Sequence, residues 1–301
     1  HMNGIGGDGF GLIVPPNGEP LAIDASGAAG QHATTAFYDG HAHIPHRGPL
    51  AALTVPGTLS GWEEALAFST SLGGGQLPLS RLLADAIRYA ADGIPVTQSQ
   101  ASATQAKYAE LVDVPGFADT FLPEGRAPLA GSRFCQPKLA RTLTRLATEG
   151  LSSFYRGPLA TVIAAEMAAL GLPVTAQDLA AHRARRRVPL RLAHSQGEVF
   201  NMTPPTQGLV SLAILGITDH LAMEQASEVQ TIHRIVEATK KAFGLRDRYI
   251  TDPRHVTLPV QSLLEQAPLE QLAASIDEQR AAPWGPGKGP GDTVWMGVVD
   301  K

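Results

Sequence analysis

Near its end the chain reads Gly291-Asp292-Thr293-Val294-Trp295-Met296-Gly297-Val298-Val299-Asp300. Alternating, β-branched side chains from position 293 onward predict a β-strand. The segment directly before it, residues 282–291, is rich in proline and glycine and predicts a flexible linker. A threonine therefore opens a strand at the point where a flexible linker ends.

Thr293 in this position allows two interpretations. A threonine after a flexible linker is the arrangement needed for self-cleavage, in which its hydroxyl attacks the carbonyl carbon of Asp292 and water then releases a new N-terminus. The freed α-amine, with an ordinary pKa of about 8, can act as base for the same hydroxyl. Threonine is also a common strand residue by β-propensity alone. These residues by themselves leave both interpretations open.

The composition describes a chain that forms a hydrophobic core. Its 301 residues are 44% hydrophobic and 17% charged, enough for one large domain or two ordinary ones. A net charge of -4 argues against a nucleic-acid partner, and the absence of an apolar run of 18 residues argues against a membrane span.

The short basic run Arg183-Ala184-Arg185-Arg186-Arg187 is predicted to be a solvated face. The single Cys135 excludes an internal disulfide and is predicted to pack in the fold.

Hydrophobic periodicity and end signals predict the main elements. Residues Phe10–Val14 and Leu21–Asp24 are strand candidates joined by a turn. Helices are predicted at Leu79–Ala91, Gln136–Gly150 and Leu159–Leu170, and capping boxes begin at Thr175 and Ser227. The helix after Ser227 is expected to face a core with one apolar stripe, made of Val229, Ile232, Ile235, Val236 and Phe243.

The opening Gly4-Ile5-Gly6-Gly7-Asp8-Gly9 matches the G-x-G-x-x-G pattern of dinucleotide-binding loops, and Asp24 has the spacing of a ribose-binding acid. That function requires a strand before the loop and a helix after it. The following residues, Phe10–Val14, predict a strand instead. We therefore expect no phosphate site here.

A second motif, Asp39-Gly40-His41-Ala42-His43, matches the D-x-H-x-H zinc motif of barrel amidohydrolases, and His46 adds a third imidazole. The sequence lacks the βαβ alternation of a barrel. A solvated histidine-rich loop is predicted, and a zinc hydrolase remains an alternative.

Eight motifs follow one another along nearly the whole chain: Gly4–Phe10, Val55-Pro56-Gly57 with Gly61-Trp62, Gln136-Pro137 with Leu139–Leu143, Phe154–Gly157, Thr175–Leu179, Thr203–Gly208, Asp247–Tyr249 with Asp252-Pro253, and Gly291–Thr293 with Val298–Asp300. Their order resembles the γ-glutamyltransferase family of N-terminal nucleophile (Ntn) hydrolases. The resemblance implies an α+β fold, the four-layer αββα Ntn-hydrolase sandwich, represented here mainly by its large-subunit portion. It also identifies the opening glycines as a turn that feeds a strand.

The resemblance assigns Thr293 as the catalytic nucleophile and Asp292–Thr293 as the autocleavage bond. Residues 1–292 correspond to the large-subunit region of one Ntn-hydrolase domain, truncated at its N-terminus, and residues 293–301 to the first strand of the small subunit. The implied partners are a small-molecule amide substrate and a small subunit cut from the same precursor. The oligomeric state stays open, and a homodimer or a heterodimer is possible. Because the family's oxyanion donors lie in the small subunit, this chain alone is expected to be inactive. No cofactor or metal is implied.

One departure from the family pattern concerns the substrate. Ser26 occupies the position of the arginine that holds the substrate α-carboxylate in γ-glutamyltransferases, which makes Ser26 a candidate substrate-binding residue. A serine cannot form a bidentate charged contact with a carboxylate. The family's usual Thr-Thr-His start of the small subunit is Thr293-Val294-Trp295 here. The string Asp292–Asp300 resembles the branch that contains oxamate amidohydrolase and certain cephalosporin or glutaryl acylases.

We therefore expect an amidohydrolase acting on a small, oxamate-like amide. Glutathione hydrolase or γ-glutamyltransferase, cephalosporin or glutaryl acylase, and a non-catalytic relative are the alternatives. A cytoplasmic location is expected, with the periplasm as the alternative.

Overall fold

The computed structural model describes residues 4–284 and 294–299. The described chain forms two compact units. Unit 1 contains residues 10–24, 185–284 and 294–299, and unit 2 contains residues 4–9 and 25–184. Both mix helices with short strands, as the predicted α+β class requires. No described helix combines the length and apolar character that a membrane crossing needs.

Unit 2 is mainly helical. Its α-helices are α1 (Thr58–Ser71), α2 (Leu79–Asp92), α3 (Gln98–Ala106), α4 (Tyr108–Leu111), α5 (Phe117–Phe121), α6 (Pro137–Glu149), α7 (Ser153–Arg156), α8 (Pro158–Ala169) and α9 (Ala176–Ala181). Short 3-10 turns lie at Pro49–Ala51 and Pro123–Gly125. The strands β3 (Ile94–Pro95) and β4 (Arg133–Phe134) pair antiparallel.

The core of unit 2 forms where α2 and α6 bring their leucines together. Leu83 of α2 and Leu143 and Leu146 of α6 belong to one buried cluster, and burying each such side chain stabilises the fold by about 1.5–3 kcal/mol. Both helices end at a glycine with a positive φ, 91° at Gly93 and 87° at Gly150, which residues with a side chain rarely adopt. The predictions for these two helices are confirmed to within a residue at each end.

Unit 1 combines two small sheets with three helices. Strands β1 (Gly9–Ile13), β2 (Leu21–Ala25) and β5 (Arg185–Arg187) form a sheet of order β1-β2-β5, and β6 (Leu190–His194) pairs with β7 (Gly197–Asn201). The helices are α10 (Gly208–Asp219), α11 (Glu228–Tyr249) and α12 (Gln266–Ala274), with 3-10 turns at Met223–Gln225, Pro253–His255 and Val260–Leu264.

Close packing of α10 organises the core of unit 1. Leu209, Leu212 and Ile217 of α10 are fully buried and share a cluster with Leu192 of β6. A side chain at Gly216 would place its Cβ 2.6 Å from Leu269 of α12, so this glycine permits the close approach of the two helices.

The basic run is partly a solvated face, as expected, and partly a strand. Residues 185–187 form β5, which pairs antiparallel with β2 and places Arg187 opposite Ala22. Arg185 and Arg186 are exposed, whereas half-buried Arg187 forms an ion pair of 3.4 Å with the buried carboxylate of Asp24. Asp24 therefore has a structural partner within the sheet.

The expectation for the apolar stripe of α11 is wrong for four of its five residues; the fifth, Phe243, is partly buried and packs against the core cluster of unit 1. Val229, Ile232, Ile235 and Val236 are all exposed, with Val229 at 77%. The buried side chains of this helix are Glu237, Ala238 and Ala242. The two alanines join the cluster that contains the leucines of α10. Small side chains allow two helix backbones to approach closely, and this packing decides the buried face.

The predicted linker and the division between residues 292 and 293 fall largely outside the described residues. Positions 285–293, 300 and 301 are among those not described. The strand predicted from position 293 onward is not formed in the described stretch 294–299, which has no strand structure and whose side chains Trp295, Met296, Val298 and Val299 are exposed. A strand needs hydrogen-bond partners for its backbone N–H and C=O groups, and no strand among the described residues supplies them to this stretch. The assignment of 1–292 to a large subunit and of 293–301 to the first strand of a small subunit stays a prediction.

Candidate functional site

Of the three predicted site residues, the structure describes Ser26 alone; Asp292 and Thr293 lie outside the described residues. Ser26 directly follows β2, whose residues 22–25 are buried. The serine itself is half-buried. The chain then continues to a β-bridge between Ala29 and Thr54. A rigid strand on one side and a bridge on the other hold the Ser26 loop, residues 26–28, in place.

Two glycines allow the Ser26 loop to lie directly against the segment before α1. A Cβ added to Gly27 would lie 1.6 Å from the carbonyl oxygen of Val55, and one added to Gly57 would lie 1.8 Å from that of Ala25. Atoms cannot approach so closely, so both positions exclude every side chain. The Val55 amide also donates to the Ala28 carbonyl at 3.0 Å. The two backbones therefore contact each other without intervening side chains.

A carboxylate lies next to Ser26. The Gly27 amide donates a hydrogen bond of 2.8 Å to Oδ1 of Asp8, an exposed residue of the opening glycine segment. This contact fixes the peptide that follows Ser26 and places a negative charge beside it. The predicted substrate-binding residue Ser26 is thus a neutral side chain with an acidic neighbour, an environment that disfavours a carboxylate ligand.

The opening glycine segment caps α1. The Gly7 carbonyl accepts from the amides of Gly57 and Thr58 at 2.9 and 3.0 Å and from the Thr58 hydroxyl at 2.9 Å. The first amides of a helix have no partner within the helix, and here a backbone carbonyl supplies one. Strand β1 follows directly, which confirms the prediction of a turn that feeds a strand.

Tyr155 joins α7 to the same region. Its hydroxyl donates to the Pro56 carbonyl at 2.9 Å and accepts from the Ser60 amide at 3.1 Å. Burial is the largest cause that raises the pKa of Tyr155 to about 12, so the hydroxyl remains a donor at neutral pH. The His182 ring lies 5.3 Å from the tyrosine ring. The motif Phe154–Gly157 contributed to the family resemblance, but it carried no signal for this role of Tyr155.

The histidine-rich loop lies on a cavity of about 430 Å³, with Tyr38, Asp39, His41 and His43 among its lining residues. The rings of His43 and His46 are 5.4 Å apart. Across residues 4–284 and 294–299, no three His, Cys, Asp or Glu side chains come together as a metal-binding group. The zinc alternative therefore has no ligand set in this part of the chain.

Comparison with known proteins gives the family to which the chain belongs. The model of the family described as Gamma-glutamyltranspeptidase matches residues 1–301, and the chain belongs to this family. It is 66% identical over 300 residues to the oxamate amidohydrolase proenzyme of Klebsiella pneumoniae subsp. pneumoniae, a match covering 100% of this chain and 57% of that protein. The chain thus spans little more than half the length of this curated relative.

Solved structures show the same fold. The cephalosporin acylase of Bacillus halodurans superposes with a TM-score of 0.83 at 32% identity, covering 91% of this chain and 52% of the acylase chain. The γ-glutamyltranspeptidase of Helicobacter pylori gives a TM-score of 0.83 at 28% identity, covering 93% of this chain and 81% of the other. The predicted family and Ntn-hydrolase fold class are confirmed.

Proposed function

We propose that the complete gene product is an autoprocessing Ntn amidohydrolase that hydrolyses a small, oxamate-like amide with Thr293 as nucleophile. The observation that carries the proposal is the neutral Ser26, held beside the Asp8 carboxylate. The family resemblance aligns Ser26 with the arginine that holds the substrate α-carboxylate. The 66% identity to an oxamate amidohydrolase proenzyme points to the same substrate class.

The chemistry of the two substrate classes explains why Ser26 matters. In a γ-glutamyl amide, three carbon atoms separate the scissile carbonyl from the α-carboxylate, so an anion-binding group must lie far from the nucleophile. In oxamate the carboxylate is bonded directly to the amide carbon. A distant arginine therefore has nothing to hold in oxamate, and its replacement by Ser26 costs such an enzyme no binding energy.

Maturation begins with the Thr293 hydroxyl. Its oxygen attacks the carbonyl carbon of Asp292, the C–N bond of the peptide breaks, and the nitrogen takes up the hydroxyl proton as the α-amine of Thr293. The resulting ester is hydrolysed by water. Asp292 then carries a new carboxyl group, and the Thr293 hydroxyl is restored next to its own amine.

Turnover repeats this chemistry on the substrate. The Thr293 oxygen attacks the amide carbon while the α-amine accepts its proton, and that proton leaves with ammonia. Water then hydrolyses the acyl ester and releases the acid. The small subunit cut from the same precursor is the implied partner. Its proposed contribution is the oxyanion donors that stabilise each tetrahedral intermediate.

A substrate panel on the complete gene product tests this proposal. After incubation, mass spectrometry is expected to detect two fragments, the second beginning at Thr293. The matured protein is expected to release ammonia from oxamate with a kcat/KM at least about a hundredfold above that for γ-glutamyl-p-nitroanilide. A preference for the γ-glutamyl compound with an acceptor dipeptide would instead establish a transpeptidase. An uncleaved, inactive protein would support the non-catalytic alternative.

Restoring the arginine tests the role of Ser26 directly. The double substitution Ser26→Arg with Asp8→Asn is expected to raise kcat/KM for γ-glutamyl-p-nitroanilide about tenfold, because a charge-assisted hydrogen bond contributes about 1.5–3 kcal/mol. Asp8→Asn removes the carboxylate that would compete for the new guanidinium, and its amide oxygen can still accept from Gly27. The matched control is Ser26→Ala with Asp8→Asn. An equal gain in that control would refute the assignment of Ser26 as a specificity residue.

Cephalosporin acylase activity is the second candidate. The observation that favours it is the acylase structure of Bacillus halodurans, at 32% identity and a TM-score of 0.83. Including a glutaryl amide in the same panel separates the two, because an acylase should prefer it to oxamate.

A further inference from the structure

Helix α11 holds the segment through which the described chain approaches the linker. We call residues 275–284 the exit segment. Lys241 donates to the Ser275 carbonyl at 3.2 Å, and Arg234 pairs with Glu278 at 3.0 Å. Nε2 of His233 lies 2.8 Å from the Asp277 carbonyl oxygen. Helix α11 thus contacts the exit segment at several successive positions.

The most buried of these contacts fixes Ala282. Lys240 Nζ donates to Glu237 at 2.5 Å and to the Ala282 carbonyl at 2.7 Å. The Ala282 amide donates to both carboxylate oxygens of Glu237, at 3.3 and 3.2 Å. Glu237 is only 2% exposed, and the side chain of Lys240 is 15% exposed. Both backbone polar atoms of one residue are therefore held by a buried ion pair.

This arrangement is not explained by stability alone. A buried ion pair is costly to desolvate, and apolar residues of similar volume often serve a fold as well. Burial acts to raise the pKa of Glu237, but the hydrogen bonds from Lys240 and the Ala282 amide outweigh it and hold the pKa below its ordinary value. Glu237 is thus charged at neutral pH, and the pair's remaining hydrogen-bonding capacity is directed at Ala282.

We propose that Glu237 and Lys240 form a clamp that fixes the start of the linker and so positions the chain for cleavage at Asp292–Thr293. The proposal rests on the proposed function, because it concerns the same cleavage. Asp292 is the tenth residue after Ala282, so an extended linker reaches about 33–36 Å at most from the clamp. Glu237 and Lys240 are positioning residues and take no part in the bond chemistry.

Two effects of releasing Ala282 can be separated by size. Counted from the hydrogen-bonded residues alone, the tether to Asp292 would lengthen from ten residues, at Ala282, to fourteen, at Glu278. Fourteen is the upper limit, because the Trp284 ring also lies 5.7 Å from the Phe243 ring of α11. Loop-closure entropy then slows the reaction by less than about twofold. Release also frees the direction in which the chain leaves Ala282, and misplacement of reacting groups can cost up to about a hundredfold in rate. A slowing of cleavage well above twofold therefore reports on direction and not on tether length.

The test is the rate of autocleavage in the complete gene product that carries Glu237→Gln with Lys240→Met. This pair of substitutions removes both charges and keeps the side-chain volumes close. We expect appearance of the two fragments to slow about tenfold. The activity per cleaved molecule, read on oxamate, should change less than about twofold, because the clamp acts before maturation. The matched control is Arg191→Gln with Glu198→Gln, which removes an exposed ion pair of the same unit and should leave the rate unchanged.

Each outcome decides the proposal. The clamp is refuted if the double variant slows autocleavage by less than about twofold. It is also refuted if the activity per cleaved molecule falls by the same factor as the cleavage rate. If the double variant does not fold, Glu237→Gln alone keeps one acceptor for the Ala282 amide and should slow cleavage about threefold, and an unchanged rate overturns the proposal as well. If the parent protein is never cleaved, the proposed function itself is refuted. If the parent and the variant are cleaved equally fast, only the clamp is refuted.

Discussion

Thr293→Ala in the complete gene product is expected to abolish cleavage at Asp292–Thr293 and to lower amide hydrolysis by at least about a thousandfold. Alanine has no hydroxyl to attack the Asp292 carbonyl, so the precursor stays intact. The α-amine that we propose as the base is then never released either. One substitution thus removes the nucleophile and its base together, and removing a nucleophile from a catalytic unit costs at least this much. Mass spectrometry of the incubated protein and ammonia release from oxamate are the two measurements.

Thr293→Ser is the matched control. Serine keeps the hydroxyl on the same backbone atom, so cleavage should proceed and activity should remain within about tenfold of the parent. If Thr293→Ala continues to hydrolyse oxamate while Thr293→Ser behaves like the parent, the nucleophile lies elsewhere. Cleavage of Thr293→Ala at the same bond would exclude the hydroxyl from maturation as well.

The sequence predicted those parts of the fold that depend on local signals. Helices α2 and α6 were predictable because leucines recur at helical spacing and a glycine ends each helix. The capping boxes at Thr175 and Ser227 are present as predicted. Each of these features is decided by residues within one or two turns of each other.

Features that depend on distant residues were not predictable in this way. The apolar stripe of α11 predicts the wrong buried face for this helix, because tertiary packing buries Ala238 and Ala242 instead. From the sequence, Glu237 and Lys240 would be expected to form an ordinary solvent-exposed i,i+3 ion pair, whereas the structure buries them. The hydroxyl of Tyr155 meets backbone atoms of Pro56 and Ser60, almost a hundred positions earlier. The importance of Gly27 also appears only when Val55 is placed against it.

Gly27→Ala is expected to destabilise the protein by about 3 kcal/mol or more. The new Cβ would lie 1.6 Å from the Val55 carbonyl oxygen and 2.6 Å from its carbonyl carbon. A methyl group has no rotamer that avoids a contact with backbone, so one of the two chain segments must move. Such a movement disrupts the Asp8–Gly27 hydrogen bond and the pairing of Ala28 with Val55. For a chain of this size, we expect the midpoint of thermal unfolding to fall by roughly 5 °C or more.

Gly6→Ala is the matched control for this prediction. Gly6 belongs to the opening glycine segment, yet a Cβ there meets no heavy atom within 4 Å, and its backbone is outside the left-handed region. Its free energy of unfolding should change by less than about 0.5 kcal/mol. Gly57→Ala, whose Cβ would lie 1.8 Å from the Ala25 carbonyl oxygen, probes the same contact from the opposite segment and should match Gly27→Ala. If Gly27→Ala and Gly57→Ala both unfold at the temperature of Gly6→Ala, the two backbones are not in direct contact, and Ser26 is not held where its proposed role in substrate choice requires.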